Sequence, residues 1–248
     1  MKSLEKALAI LDYLEQEKRP LRLTDIANKL EISVSNAHKI LSVFVKSGYA
    51  QQDKYTNLYS LGTRFLHMGY TMLNSIDVRT IARPYFKELS RKTNETINLM
   101  VRHGSVGMYA AIIESTSVAR VSQVLGTTEP LHAGALGKAL LAYLPEAEVQ
   151  RIITDVGLAP ITSNTITDPG ILHLELQKIR SEGYAFDYEE AYIGVYSVAT
   201  PIFDCNHAVV ASISVSIPTI RHSNTSTLYY VDLLKKAAES ISEDISTS

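Results

Sequence analysis

Apolar and polar positions alternate along this chain with two different periods, and the period changes with position. Leu4, Ala7, Leu8, Leu11 and Leu14 recur every three or four residues, the stripe of an amphipathic helix that stops near Lys18-Arg19-Pro20. A short helix follows, with Thr24 placed to cap it and its end near Leu30. Glu31-Ile32-Ser33 makes a tight connector. A second helix runs from about Val34 to Lys46, with Ala37, Ile40, Leu41, Phe44 and Val45 inward and Gly48 as a left-handed terminator. Tyr49–Gln52 and Leu58–Leu61 flank Asp53–Asn57, and the segment reads as a β-hairpin. Leu61, Phe65, Met68, Met72 and Ile76 then form another helical stripe with no domain of its own, which suits a linker.

Beyond Ile81 a helix to Thr93 is expected, and then the period falls to two. Ile97, Leu99 and Val101, then Gly107–Ile113, then Val118–Leu125 read as strands. Helices are expected over about Ala135–Leu144, Glu146–Thr154 and Asp168–Glu182. Strands are expected over Val195–Phe203 and Ala208–Ile217, joined by a turn at Asp204–His207, and a last helix over Thr227–Asp244. Long helices on a mostly antiparallel sheet make an α+β domain.

The last strand has the sharpest pattern. Val209, Ala211, Ile213, Val215 and Ile217 face one way, and Ser212, Ser214 and Ser216 the other. Serine is a weak strand former. A ladder of small hydroxyls leaves room and hydrogen bonds for a polar ligand, or is a plain solvated face.

Composition narrows the class. The chain has 248 residues, 46% of them hydrophobic and 20% charged, an ordinary soluble balance. No apolar run is long enough for a membrane helix, and the N-terminus does not read as a signal peptide; with a single cysteine, a cytoplasmic setting is the default expectation. The single cysteine, Cys205, leaves no internal disulfide. Residues 1–65 hold 10 Lys and Arg against 7 Asp and Glu, whereas the remainder is acidic, so the head suits an anionic partner.

Two short helices with a three-residue turn and Ala27 midway through the first make a helix-turn-helix, and the hairpin supplies a wing. The second helix turns Ser35, Asn36, His38, Lys39 and Ser42 outward, side chains suited to base edges and phosphates. With Thr24, Ser33 and Lys54 of the wing they are the candidate DNA contacts. The competing reading is a plain helical packing unit.

PLHAGALGKALLA, at 130–142, resembles a phosphate cradle only superficially. Two residues separate Gly134 from Gly137, and Ala139 follows Lys138, so the hydroxyl that holds Mg²⁺ is missing. The seven histidines show no metal-ligand spacing, although His132 lies beside this stretch. Asp187, Glu189 and Glu190 invite an acid–base reading, but no nucleophile stands beside them and they read as a solvated rim. No metal, cofactor or catalytic residue is expected.

Together, ISVSNAHKIL, GYAQQDKYTNLYSLG, LHAGALGKALLAYLPEAEV, GYAFDYEEAYIGVYSVATPIFD and VVASISVSIP resemble the IclR-type transcriptional regulators, in order and spacing over roughly residues 3–245. The resemblance implies a winged helix-turn-helix at 1–62, a linker helix at 63–78 and a GAF-like effector domain at 79–248. It implies operator DNA, a small organic-acid effector and a homodimer or dimer of dimers as partners. It places backbone contacts to the effector at Ala135 and Leu136. Asp187 and Ser197 supply polar contacts, Ser214 and Ser216 face them, and Val118, Val121 and Val195 form an apolar wall. Val34 stands where the family often has a basic residue, and Leu58 and Ser60 where it often has arginines. Asn57 replaces a frequent glycine, and Ser197 a cysteine found in some members. The rival reading is a ligand-binding or enzymatic α+β protein whose N-terminal domain mediates assembly.

Overall fold

The computed structural model describes residues 3–74 and 77–247. The chain divides into two compact units, Met1–Ser75 and Ile76–Ser248.

In the first unit α1 (Ser3–Glu17), α2 (Leu23–Lys29) and α3 (Val34–Lys46) pack on a hairpin of β1 (Ala50–Gln52) and β2 (Tyr59–Leu61). Ile10, Leu14, Leu21, Ile26, Leu41, Ala50 and Tyr59 form the core. Leu21 and Tyr59 exchange backbone hydrogen bonds of 2.8 Å, which tie the hairpin to the chain entering α2. The ends of α3 fall where local signals put them. Ser33 caps its first turn by accepting from Asn36 N, and Gly48 has φ 79°. Three expectations are corrected. Thr24 is not a cap, because α2 already starts at Leu23 with Arg22 before it. Val45 is exposed rather than inward. The buried side of α1 is centred on Ile10 and Leu14, while Leu4 and Leu8 are exposed. The linker stripe forms α4 (Arg64–Asn74); Ile76 and the Met72 side chain lie outside the described residues.

The second unit is one antiparallel sheet of β3 (Thr96–His103), β4 (Val106–Ile113), β5 (Thr128–Pro130), β6 (Ala185–Tyr188), β7 (Val195–Phe203) and β8 (Val209–Pro218), in the order β5-β4-β3-β8-β7-β6. One face carries α5 (Asp77–Thr93) and α9 (Asn224–Thr247). Phe86 and Leu89 of α5 and Leu234 and Ile241 of α9 meet Ile97, Leu99, Ile213 and Val215 there. The other face carries α6 (Ala135–Leu141), α7 (Glu146–Val156) and α8 (Pro169–Glu182), packed through Leu140, Ile152, Leu172 and Leu176 on Met100, Tyr109 and Ala199.

Val118–Leu125 is not a strand. The outer edge of β4 is taken by Gly126–Pro130, through Gly126 N to Tyr109 O at 2.9 Å and the β5 register. The preceding loop satisfies its backbone with side chains instead: Thr96 Oγ1 donates to Val121 O at 2.6 Å, and Arg221 Nη1 to Ala119 O at 2.7 Å. β6 is a strand the alternation did not announce, because four residues carry too little period. α5 begins at Asp77, ahead of the expected Ile81, and α6 ends at Leu141, before the expected Leu144.

Candidate functional site

Helix α3 presents Ser35, His38, Lys39 and Ser42 to solvent, with Asn36 half-buried. Ser42 Oγ donates to His38 O at 2.7 Å, so its proton is engaged and only its lone pairs face outward. Val34 and Val43 are exposed on the same helix, offering methyls of the kind that meet thymine methyls. Thr24 and Ser33 are exposed as well. In the wing, Asp53 Oδ1 accepts from Tyr55 N, Thr56 N and Thr56 Oγ1 at 3.0, 2.7 and 2.9 Å. These bonds, led by the Thr56 N–H, hold the Asp53 carboxyl below its usual range. The turn is therefore preformed, and Lys54 and Tyr55 project from its tip.

The second unit holds a small pocket of about 300 Å³, counted out to its solvent-facing mouth, in which about 20 Å³, roughly the room of one water, is clear of the walls. It lies where both edges of the sheet meet the entry to α6. Gly134 enters this helix at φ 99°, a value side-chain-bearing residues rarely adopt. Gly137 lies so close to Leu131 that a Cβ would come within 2.4 Å of its carbonyl oxygen. Both glycines are therefore demanded by backbone geometry.

Lys138 is 1% exposed, and its Nζ meets Glu190 Oε1 at 2.6 Å and Glu175 Oε1 at 3.2 Å. The cradle-like stretch ends in an internal ion pair. Burial pushes the Glu190 carboxyl up, against the pull of Lys138.

Of the sequence-predicted pocket residues, Ala135, Leu136, Asp187, Val195, Ser197 and Ser216 line the pocket together. Ser197 Oγ donates to Ser216 Oγ at 2.9 Å across the β7–β8 register. Asp187, 3% exposed, accepts from Glu190 N at 2.7 Å. Burial pushes its carboxyl up to about 7. Asp187 and Glu190 are thus interior groups and not a solvated rim.

Three predicted positions lie elsewhere. Val118 is fully exposed in its loop and walls nothing. Val121 is buried, but its carbonyl serves Thr96 and it does not line the pocket. Ser214 is fully buried under Asn98, whose Nδ2 reaches Ser214 Oγ at 3.4 Å and Ser216 Oγ at 3.1 Å. The serine ladder is an interior face, with Ser212 Oγ donating to Leu136 O at 2.9 Å. His132 is held apart, its Nε2 3.1 Å from Ala159 O, and burial lowers its pKa.

Sequence reasoning missed Tyr109, Gln123, Glu129, Ala191 and Tyr192, which complete the lining. Burial raises the Glu129 carboxyl, while the Tyr192 and Tyr109 hydroxyls bond to it and pull the other way. The available signal was proximity to recognised motifs: Glu129 precedes PLHAGALGK, and Tyr192 follows DYEEA.

Comparison with known proteins agrees with this two-part geometry. Residues 3–54 match the IclR helix-turn-helix domain, and residues 70–243 match the C-terminal domain of the bacterial transcriptional regulator IclR. The chain is 32% identical to the HTH-type transcriptional regulator XynR of Escherichia coli over 98% of its own length and 96% of that protein. It is also 32% identical to the HTH-type transcriptional repressor AllR of Escherichia coli, over 97% of its length and 89% of that protein. The crystal structure of the Thermotoga maritima IclR superposes with a TM-score of 0.84 at 35% identity, covering 98% of each chain. With a helix-turn-helix and its hairpin in one unit, a small pocket in the other and both family domains matched, the chain belongs to the IclR family of DNA-binding bacterial transcriptional regulators.

Proposed function

We propose that this regulator reads a near-palindromic operator through α3 and its wing, and answers to a small organic acid held in the pocket of the second unit. The division into a winged helix-turn-helix at 1–62, a linker helix at 63–78 and an effector domain at 79–248 belongs to the same reading, as does a cytoplasmic setting. No helix among the described residues is long and apolar enough to cross a membrane. The observation that carries the effector reading is the buried hydroxyl pair Ser197–Ser216, beside Asp187 and the backbone at Ala135 and Leu136, around space that no side chain fills. The effector shifts the regulator only by binding one state better than the other.

Thermal melting against small carboxylates, followed by operator binding with any that stabilise, tests this. A ligand at about 100 times its Kd adds roughly 2.7 kcal/mol. Ser197→Val should narrow the pocket and abolish the effector's effect on operator binding while the protein still folds. An unchanged effector response would remove the pocket from the mechanism.

The DNA contacts proposed are Thr24, Ser33, Ser35, Asn36, His38, Lys39, Ser42 and Lys54. Asn36→Ala is expected to weaken operator binding by about 1–3 kcal/mol and to relax preference at one base pair. Lys39→Ala should weaken it on every sequence and reduce the salt slope by about one. Anisotropy titrations over a salt series measure both, and wild-type affinity in the two variants would remove α3 as the reading helix.

The homodimer or dimer of dimers in this reading is supported by exposed apolar side chains in the first unit, Leu4 and Leu8 one turn apart on α1 and Leu66 and Met68 on α4. Leu4→Glu combined with Leu8→Glu should shift the protein toward monomer in sedimentation, and a full-size assembly in that variant would place the interface elsewhere.

A further inference from the structure

We infer that Glu129 sets the specificity of the pocket: it selects an effector that carries one carboxylate and, away from it, a hydroxyl donor, and it rejects a second carboxylate at that place. This rests on the effector reading above and names the ligand chemistry of the same pocket.

The charge inventory of the lining leads to it. Two side chains in the wall are acids, Glu129 and Asp187, and none is Lys, Arg or His. They arrive from opposite edges of the sheet, Glu129 on β5 and Asp187 on β6, and its curl brings both to one cavity. The adjacent cation, Lys138, does not line the pocket and is already bonded to Glu175 and Glu190. A dicarboxylate would therefore bring two negative charges into a confined space lined by two acids and no cation. Such repulsion is poorly screened where water is excluded.

The acceptors point the same way. The Tyr109 and Tyr192 hydroxyls bond to Glu129, yet its Oε1 is buried and has no hydrogen-bond partner. A buried acceptor left unmade is costly, and a ligand hydroxyl satisfies it. On the β7–β8 side Ser216 Oγ, which accepts from Ser197, keeps its own proton to donate to a single carboxylate. One end of the cavity thus receives a carboxylate, and the Glu129 wall asks for a donor.

The test uses the full-length protein and acid pairs that differ only in a terminal CH₂OH against COO⁻: glycolate and oxalate, glycerate and tartronate, threonate and tartrate, gluconate and glucarate. Affinities are measured by calorimetry at neutral pH for the wild type and for Glu129→Gln. At whichever chain length binds, the hydroxyl member should bind at least about tenfold tighter than its dicarboxylate. In Glu129→Gln the ratio should fall to about threefold or less, because the amide can donate to a carboxylate. A dicarboxylate that matches or exceeds its partner in the wild type overturns the inference, as does an unchanged ratio in the variant. Should none of the eight acids bind either protein while operator binding is intact, the organic-acid reading fails and the Glu129 role with it. Tight binding of a dicarboxylate leaves the effector reading standing and removes only Glu129.

Discussion

Lys138→Met is expected to lower stability by about 3–5 kcal/mol. A lysine that is 1% exposed sits between Glu190 at 2.6 Å and Glu175 at 3.2 Å, and Glu190 Oε2 already lacks a partner. Methionine fills similar volume but leaves the carboxylates uncompensated in a low-dielectric interior. The attraction lost is larger than that of a surface pair, because little water screens it. Glu190 is the more buried of the two, and its pKa, already raised by burial, should rise further without the lysine. The deficit should therefore shrink at acid pH, where the glutamate is neutral, and Glu190→Gln added to Lys138→Met should recover part of it. Urea melts of the three proteins at neutral pH and near pH 5 measure this. If Lys138→Met melts with the wild type at neutral pH, the ion pair is not a stabilising element of the fold.

Asp187→Asn should act in the opposite direction. The Asp187 carboxyl ordinarily titrates near 3.8 and is pushed up to about 7, first by burial and then by the nearby Glu190 charge, while the backbone N–H of Glu190 and the charge of Lys138 oppose the rise. The other ionisable side chains of its pocket, Glu129, Tyr109 and Tyr192, add no cation. Between about 4 and 7 the unfolded chain holds fewer protons at this residue than the folded one. Stability therefore falls as pH rises through that window and levels off above it. Asparagine carries no charge and keeps an oxygen to accept from Glu190 N. It should raise stability by about 2–4 kcal/mol above pH 7, with the gain vanishing below pH 4. Denaturant melts from pH 5 to 8.5 should show the wild-type curve declining relative to the variant, and parallel curves would contradict the burial of this carboxyl.

With the effector in the pocket as proposed, the same group would link its binding to protons. An anion entering beside Asp187 favours its protonated form, so an acid effector should bind more tightly as pH falls through about 7, by up to tenfold per unit. Asp187→Asn should flatten that dependence.

The first unit was largely readable in the sequence because its signals are local. Ser33 before α3 and Gly48 after it fix both ends of the helix within the reach of a few residues, and the observed Val34–Lys46 coincides with the expected span. Asn57 takes the left-handed conformation expected of it in the wing turn, at φ 57°. The strand β8 was readable as well, since alternation over ten residues is hard to mistake. Alternation says that a strand has two faces; it does not say what covers each. The serine face is sealed by α6 and Asn98. Val118–Leu125 alternates too, but the edge it would have paired with is occupied, and it remains a loop.

The sequence by itself determined the helix-turn-helix, the wing and the antiparallel strands, because capping residues, turn residues and hydrophobic period act over a few neighbours. The family resemblance, more than any pattern in the chain, named Ala135, Leu136, Asp187, Val195, Ser197 and Ser216, and the structure gathers them around one pocket. Only the tertiary structure decided that Lys138 is an internal ion-pair partner, that Ser214 and Val118 stand outside the pocket, and that Glu129 and Asp187 share it. Those outcomes depend on which distant segments the curled sheet brings together, and the charge and burial of a side chain are set by neighbours that no local pattern names.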